Sequence, residues 1–260
     1  MNDLINVIWL GIIEGITEFL PISSTGHLLI AEQWLGHRSD LFNIGIQAGA
    51  MLAVVLIYRE RLWGMASNLG DAAHRDYLYK LSAAFLITCI GGLVAKKLGF
   101  ELPETLTPVA LALIVGGIAI LFVERAAARM PVSDTLSWKV AIVVGLAQIL
   151  AAVFPGTSRS AATIFAAMLA GMTLRSKATE FAFLVGIPTM FAATGYETLR
   201  LIGTPAFAQE DWTAFAVGFV TSAVVAFIAV KWLLDYIQTH TFTIFAWYRI
   251  VFGAVLLMLA

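Results

Sequence analysis

This sequence has few charged residues and almost no cysteine. Asp, Glu, Lys and Arg make up 13% of the chain, whereas a soluble domain carries about a quarter. The 16 basic residues are balanced by 17 acidic ones and form no basic patch, so we expect no nucleic-acid partner. The one cysteine, Cys89, excludes an intramolecular disulfide and a cysteine metal cluster. A soluble globular domain is therefore a poor interpretation of this chain.

Much of the chain consists of long hydrophobic segments with few charged residues. Hydrophobic residues make up 60% of the 260 residues, and a helix needs about 20 apolar residues to cross the hydrocarbon core of a bilayer. We predict six full spans with polar connectors between them: 41–58, 78–98, 107–123, 179–199, 213–234 and 242–260. The sequence therefore predicts an all-α integral membrane protein with a single membrane domain over residues 1–260.

Two further apolar regions, 4–35 and 138–171, are interrupted near their middle. In each, a proline (Pro21 or Pro155) is followed within three residues by hydroxyl side chains. The flanking arms are short for a span, and a break with polar residues at membrane depth must be buried in protein or beside water. We predict that both regions are re-entrant helix–loop–helix hairpins.

The two halves of the chain, 1–130 and 131–260, resemble each other. At one constant offset, Gly11 aligns with Gly145, Glu14 with Gln148, Pro21 with Pro155 and Ser24 with Ser158. Each hairpin is followed by three predicted spans, so the second half enters the membrane with the opposite orientation. We therefore expect an inverted-topology repeat, in which the interrupted helices mark the binding site.

The positive charges predict the orientation of the chain. If each hairpin returns to its own side, most Lys and Arg residues collect on one side, which is cytoplasmic by the positive-inside rule. That side holds Arg59, Arg61, Arg75, Lys80, Arg125, Arg129, Lys139, Arg175, Lys177 and Lys231, and the other holds Arg38, Lys96, Lys97 and Arg200. The first hairpin then opens to the outer, periplasmic side, the second enters from the cytoplasm, and their loops meet inside the membrane.

The first hairpin carries two acids on one helix face. Glu14 and Glu18 are four residues apart, so their carboxylates share that face. A charged side chain at the centre of a membrane helix costs about 2.5–3.5 kcal/mol on insertion scales. We therefore expect them to bind a divalent cation or to pair with His27 and Arg159. The alternative is a shallow, hydrated hairpin in which both acids contact water.

Hydroxyl groups and a histidine follow Pro21. Ser23, Ser24 and Thr25 lie where the second arm begins, and a serine there would serve as an N-cap or contact a substrate. His27 lies in the same apolar arm, near the two acids. Histidine acts as a nucleophile or as a proton donor and acceptor near neutral pH, although a structural role is the alternative.

The second hairpin supplies the complementary charge. Arg159 lies between Ser158 and Ser160 at the start of an arm, where unpaired N–H groups and the positive end of the helix dipole favour phosphate. Its planar guanidinium adds bidentate donors, and Thr163 follows one turn later. One acidic and one cationic loop together suit phosphoanhydride hydrolysis, in which positioning and charge neutralisation supply most of the rate.

Two polar residues outside the hairpins are weaker candidates. Gln47 lines the site or packs between helices. Arg249, in the last span, is expected to extend its guanidinium to the cytoplasmic end of its helix.

Three stretches carry a family resemblance. Residues 14–27, EGITEFLPISSTGH, and 155–163, PGTSRSAAT, closely resemble the two signatures of the undecaprenyl-diphosphate phosphatase family, also called bacitracin-resistance proteins. Residues 46–50, IQAGA, resemble the stretch that follows the first hairpin in that family. Thr157 stands where a bulky aromatic residue is often found and Ala161 where glycine is common, so we expect the second loop to differ from the family in detailed shape but not in charge.

The resemblance implies an enzyme of the bacterial inner membrane that converts undecaprenyl diphosphate to undecaprenyl phosphate, for which a divalent cation, magnesium or calcium, is required. It implies that Glu14 and Glu18 bind metal or act as acid and base, that Ser24 and His27 act at the reacting phosphorus, and that Ser158, Arg159 and Thr163 hold the diphosphate. The implied partners are the polyprenyl diphosphate substrate and membrane lipids.

Several alternatives stay open at this point. The nucleophile is Ser24, His27 or water, and a homodimer is neither required nor excluded. A polyprenyl-phosphate transporter or flippase is the rival function, because inverted repeats with broken helices are a transporter architecture.

Overall fold

The computed structural model of this protein describes residues 2–100 and 105–259, and these residues form helices and turns without a β-strand. The helices are α1 (Asn2–Thr17), α2 (Ser24–Leu35), α3 (Asp40–Ile57), α4 (Arg59–Ser67), α5 (Ala72–Lys97), α6 (Leu106–Ala127), α7 (Trp138–Val153), α8 (Arg159–Leu169), α9 (Arg175–Leu201), α10 (Pro205–Ala208), α11 (Trp212–Thr239) and α12 (Thr243–Leu259). The all-α prediction is confirmed over this part of the chain.

Five helices, α3, α5, α6, α9 and α11, are long and apolar enough to cross a membrane. They coincide with five of the six predicted spans, so the chain has the features of a multi-pass membrane protein. The sixth predicted span, 242–260, corresponds to α12, which is apolar but only 17 residues long. Its last predicted residue, Ala260, lies outside the described residues.

The connectors contain more helix than the sequence indicated. The polar helix α4 and the single-turn helix α10 were not predicted, and α5 begins at Ala72 instead of residue 78. The reason for the early start is Asp71, whose side chain accepts a hydrogen bond of 3.1 Å from the backbone N–H of Ala73. Such N-caps satisfy one of the unpaired donors of the first turn.

Both predicted interruptions are present. Loop 1 (residues 18–23) separates α1 from α2, and loop 2 (residues 154–158) separates α7 from α8. Proline has no backbone N–H and disfavours helical geometry in the residue before it, so Pro21 and Pro155 account for the ends of the first arms. The helix–loop–helix form is thus confirmed, whereas re-entry into a membrane stays a prediction.

The helices pack in matched pairs around these loops. Helix α1 packs on α11 and α7 packs on α5, while α6 contacts α12 and α3 contacts α9. Close approach depends on glycine at the aligned positions Gly11 and Gly145. A Cβ at Gly11 would lie 2.9 Å from the carbonyl oxygen of Gly218, and one at Gly145 would lie 2.8 Å from that of Ala84. Small residues of this kind let helices in membranes pack backbone to backbone.

Candidate active site

Loops 1 and 2 share an uncommon backbone conformation. Ser23 has a φ of 74° and Ser158 a φ of 67°, and within residues 2–100 and 105–259 they are the only non-glycine residues with positive φ. The left-handed conformation costs roughly 1–2 kcal/mol for a residue with a side chain. Both serines offset part of that cost as N-caps, since Ser23 Oγ accepts from Gly26 N at 3.4 Å and Ser158 Oγ from Ala161 N at 3.3 Å.

This shared geometry corrects the alignment of the two halves. The counterpart of Ser158 is Ser23 and not Ser24, because loop 2 has one more residue between its proline and its capping serine. An alignment without gaps could not detect that extra residue. The first helical residue is therefore Ser24 in α2 and Arg159 in α8.

Ser24 and Arg159 both donate a hydrogen bond to Glu18 of loop 1. Ser24 Oγ donates to Glu18 Oε2 at 2.7 Å, and Arg159 Nη2 donates to Glu18 Oε1 at 2.8 Å. The side chain of Glu18 is 7% exposed and that of Arg159 is 14% exposed. A charge-assisted hydrogen bond thus joins the acidic loop to the cationic one, away from bulk water.

Several buried polar atoms beside this pair have no partner among the described residues. They are both carboxylate oxygens of Glu14, Nε and Nη1 of Arg159, and Oε1 of Gln148. Glu14 is 0% exposed and lies one turn before Glu18, whose N–H donates to the Glu14 carbonyl at 2.9 Å. Buried polar groups are normally hydrogen-bonded, so these orphaned atoms indicate that the site is completed by a ligand, an ion or water.

The pair faces a cleft of about 240 Å³, which we call the polar cleft. Seven of the predicted site residues line it: Glu18, Ser23, Ser24, Thr25, Gln47, Ser158 and Arg159. Thr25 and Gln47 also line a wider polar vestibule of about 710 Å³, whose rim carries Lys96 and Arg200. Most predicted site residues are therefore brought together, and the polar vestibule adjoins them through shared lining residues.

The polar cleft also contains residues that the sequence did not single out. Thr88 of α5 and Gln148 of α7 line it, and Gln148 Nε2 donates to Thr88 Oγ1 at 2.9 Å. Gln148 had a signal in the sequence, its alignment with Glu14. Behind Arg159 lies Gly186 of α9, where an added Cβ would overlap the guanidinium.

His27 is not part of the polar cleft. Its Nδ1 lies 2.7 Å from the Ser23 carbonyl oxygen and its Nε2 lies 2.6 Å from the hydroxyl of Tyr248, while its ring stacks on Phe252 at 4.4 Å. A carbonyl oxygen only accepts, so Nδ1 carries the proton and Nε2 accepts from Tyr248. The expectation that His27 lies beside the two acids is wrong in this conformation, because α12 holds the ring.

Ser160 and Thr163 also differ from their predicted roles. Ser160 is 1% exposed, and its hydroxyl donates to the carbonyl of Leu20 in loop 1 at 3.2 Å. Thr163 is 0% exposed and donates to the Arg159 carbonyl at 2.8 Å, one turn back in its own helix. Neither lines the polar cleft, so the structure assigns them to the junction of the loops and to α8 itself.

The expectation for Arg249 is also wrong. It was predicted to reach the end of its helix, yet it is 0% exposed and hydrogen-bonds five backbone carbonyls in the interior. The distant chain segments that supply those carbonyls give no local signal in the sequence.

The two acids fit a divalent cation in part. Glu14 offers two oxygens without a partner, whereas both oxygens of Glu18 already accept hydrogen bonds. Over the described ranges, no group of three or more His, Cys, Asp or Glu side chains forms a metal cluster. Magnesium is commonly held by one or two carboxylates together with substrate phosphates and water, so this donor set fits a cation that binds with a phosphorylated substrate.

The fold and the polar cleft define a class, a multi-pass helical membrane protein in which an acidic and a cationic loop build one buried polar site. Comparison with known proteins places it more narrowly. The bacitracin resistance protein BacA family matches residues 7–255, and this chain belongs to that family.

Named relatives extend this match over nearly the whole chain. The chain is 65% identical to an undecaprenyl-diphosphatase of Rhizobium johnstonii over 258 residues, which cover 99% of this chain and 97% of that protein. It is 65% identical to one of Rhizobium etli over 255 residues, covering 98% and 96%. It is 58% identical to one of Xanthomonas euvesicatoria over 258 residues, covering 99% and 97%.

Proposed function

We propose that this protein hydrolyses undecaprenyl diphosphate to undecaprenyl phosphate and inorganic phosphate in the bacterial cytoplasmic membrane, and so recycles the lipid carrier of cell-wall synthesis. One observation carries the proposal. Glu18 accepts from Ser24 at 2.7 Å and from Arg159 at 2.8 Å, which puts a nucleophile, a base and a phosphate-binding cation in one buried cleft. The names of the relatives support the same reaction.

Arg159 and the start of α8 bind the diphosphate. Nε and Nη1 of Arg159 have no partner among the described residues. The backbone N–H groups of Ser158, Arg159 and Ser160 likewise donate to no acceptor in the described chain. Unpaired N–H groups at a helix N-terminus and a guanidinium are both suited to phosphate oxygens.

Ser24 is the group best placed to attack the terminal phosphorus. Its hydroxyl already donates to a carboxylate, which is the nucleophile–base contact that activates a serine. In the proposed step the Oγ–P bond forms, the proton passes to Glu18, and the bond to the bridging oxygen breaks to release undecaprenyl phosphate. Water then cleaves the phosphoserine to give inorganic phosphate. His27 is less well placed, since both ring nitrogens are occupied.

Glu14 would hold a divalent cation, magnesium or calcium, together with phosphate oxygens of the substrate, while Glu18, the second metal ligand predicted from the sequence, acts as the base for Ser24. The unpartnered oxygens of the fully buried Glu14 support this assignment. A bound cation supplies neutralisation of the charge on the phosphate oxygens.

The lipid tail lies in an apolar groove of about 700 Å³ between α6, α7 and α8. Its lining is almost entirely apolar and includes Leu111, Leu150 and Phe165. The groove reaches loop 2 at Thr157, the residue between Gly156 and Ser158 of the polar cleft. A polyprenyl chain in the groove therefore has its diphosphate beside the cationic loop.

The two halves form an inverted repeat of re-entrant hairpins, with the polar vestibule open to the periplasm. The shared left-handed serines, the aligned glycines and the matched packing of α1 on α11 and α7 on α5 support the repeat. The bias of Lys and Arg residues supports the orientation. The names of the relatives favour the hydrolase over the transporter, although the architecture suits both.

The test is phosphate release from undecaprenyl diphosphate by purified protein in detergent, where no membrane separates two compartments. We expect release that stops with a chelator and returns with magnesium or calcium. Glu14→Gln should raise the half-maximal cation concentration at least about tenfold, while the exposed control Glu60→Gln should not. A folded protein that releases no phosphate would refute the proposal and leave the transporter.

A further inference from the structure

The side chain of Arg249 is an unusual buried cation. It lies on α12, is 0% exposed, and forms no ion pair with any residue in the described ranges. A charge in the interior is expensive unless hydrogen bonds satisfy it. In this protein all of the compensation comes from backbone carbonyls.

All five N–H donors of this guanidinium are used. Nε donates to Leu113 O at 3.3 Å, Nη1 to Pro21 O at 3.3 Å and Thr157 O at 3.0 Å, and Nη2 to Ala112 O and Gly156 O at 3.1 Å each. Five is the full donor capacity of arginine. Three of the five carbonyls belong to the loops of the active site, Pro21 to loop 1 and Gly156 and Thr157 to loop 2.

Holding a carbonyl also fixes the amide next to it. A trans peptide is planar, so the N–H of Ser158 points away from the Thr157 oxygen that Arg249 binds, and the described chain contains no cis peptide. That N–H has no acceptor within the described chain and belongs to a residue that lines the polar cleft. Arg249 therefore sets the direction of an amide that is free to bind phosphate.

The surroundings leave space for this one side chain. Gly116 of α6 lies against the guanidinium, and an added Cβ there would overlap Nη2. Gly156, with a φ of 87°, lets loop 2 approach α6, since a Cβ would lie 2.8 Å from the Val109 carbonyl oxygen. The fit is specific to a planar fork of donors, which lysine does not provide.

We infer that Arg249 is a positioning residue of the active site, which joins the acidic and the cationic loop by their carbonyls and directs the Ser158 amide at the phosphates. This inference rests on the proposed hydrolysis. It adds a residue outside both hairpins, which acts through the backbone and does not touch the substrate.

The experiment compares Arg249→Lys and Gly116→Ala with Val251→Ala, a control on the exposed face of α12. The kcat and KM for undecaprenyl diphosphate are measured well below the melting temperature of each purified protein. We expect kcat to fall about 100-fold in Arg249→Lys, since a misplacement of about 1 Å costs that much, with KM changed less than threefold. In Gly116→Ala we expect kcat to fall about tenfold, and its KM is not used because Gly116 also lines the apolar groove. Val251→Ala should match the wild type. A role in folding alone would lower the melting temperature and leave kcat within twofold, which would overturn the inference.

A second readout does not depend on activity. Amide hydrogen exchange should speed up at least tenfold in Arg249→Lys at Ile22 and Thr157, the hydrogen-bonded amides that follow two of the held carbonyls, and stay unchanged in α3 and α11. Uniform protection equal to the wild type would overturn the inference even if the protein proved to have another activity. Should Arg249→Lys fail to fold, amide exchange in Gly116→Ala decides, because this variant keeps the arginine and displaces its guanidinium. Gly116 also lines the apolar groove, but exchange is measured without lipid substrate and does not depend on tail binding.

Discussion

Loops 1 and 2 have one backbone design and opposite chemistry. Each contains a proline, each has a serine in the left-handed conformation, and each serine caps the helix that follows. The first helical residue then differs, Ser24 in one case and Arg159 in the other, and only loop 1 supplies an acid at the contact. Strained residues of this kind concentrate at functional sites. Their matched positions indicate that the same backbone conformation positions Ser24 after loop 1 and Arg159 after loop 2.

Two similar halves thus build one asymmetric site. Glu14 in α1 aligns with Gln148 in α7, so the acid of one half is an uncharged amide in the other. Two acidic loops would repel each other and the phosphate, and two cationic loops would lack a base. The difference between the halves is therefore as informative as their likeness.

Loss of the Glu18 carboxylate, which accepts from both Ser24 and Arg159, should have the largest effect. Glu18→Gln deprives Ser24 of its base and leaves Arg159 buried without a counter-charge, and breaking a buried pair costs about 3–5 kcal/mol. We expect kcat to fall at least about 1,000-fold, an estimate built on the loss of general-base catalysis together with mispositioning. The check is phosphate release per folded molecule, with the exposed Glu60→Gln as control. Activity within tenfold of the wild type would refute the role of Glu18.

Arg159→Lys should have the next largest effect. Lysine keeps the positive charge but lacks the planar fork that contacts Glu18 and leaves Nε and Nη1 for phosphate. We expect kcat/KM to fall about 100-fold, a loss of the size measured for single transition-state donors. Lys96 on the rim of the vestibule provides the comparison, and Lys96→Gln should change kcat/KM less than threefold. Equal losses in the two variants would argue for general electrostatic attraction instead of a defined phosphate contact.

His27 should matter less than Ser24. Its ring nitrogens contact the Ser23 carbonyl and Tyr248, so it supports loop 1 from the side of α12. We expect His27→Gln to lower kcat about tenfold and Tyr248→Phe about threefold, each corresponding to roughly one hydrogen bond. A loss in His27→Gln as large as that in Ser24→Ala would mean that the ring turns towards the phosphorus during the reaction.

The smallest effect on catalysis is expected at Thr163, which the sequence placed among the phosphate ligands. Its hydroxyl donates to the Arg159 carbonyl inside α8 and does not reach the polar cleft. Thr163→Val has nearly the same volume, and its kcat and KM should stay within threefold of the wild type. The variant should lose about 1 kcal/mol of stability, since one buried hydrogen bond is removed. A change in KM of tenfold or more would restore the original assignment.

Much of the fold and of the polar cleft could be predicted, because the sequence signals for them are local. Apolar runs located the five long helices, and Pro21 and Pro155 located both interruptions. The spacing of Glu14 and Glu18, and the position of Arg159 at a helix start, predicted which residues would face each other. Glu18 and Arg159 do meet, at 2.8 Å.

The remaining features depend on contacts between distant segments. Arg249 lies in an apolar stretch, and its sequence neighbours do not show that five carbonyls of α6 and the two loops accept its hydrogen bonds. His27 was misplaced because the sequence shows its neighbours in α2 and not Tyr248, which lies 221 residues away. Loop 2 has one more residue than loop 1 between its proline and its capping serine, so the alignment without gaps paired Ser158 with Ser24. Only the positive φ angle identifies Ser23 as the equivalent residue.

We propose that the acidic loop and the cationic loop act as one catalytic unit. The decisive measurement is a double-mutant cycle in kcat/KM, with Glu18→Gln, Arg159→Gln and the combined variant measured on undecaprenyl diphosphate. Residues that act as a unit are strongly non-additive, so we predict that the combined variant is no more than about tenfold slower than the slower single variant. Losses that multiply, as for independent sites, would contradict the account.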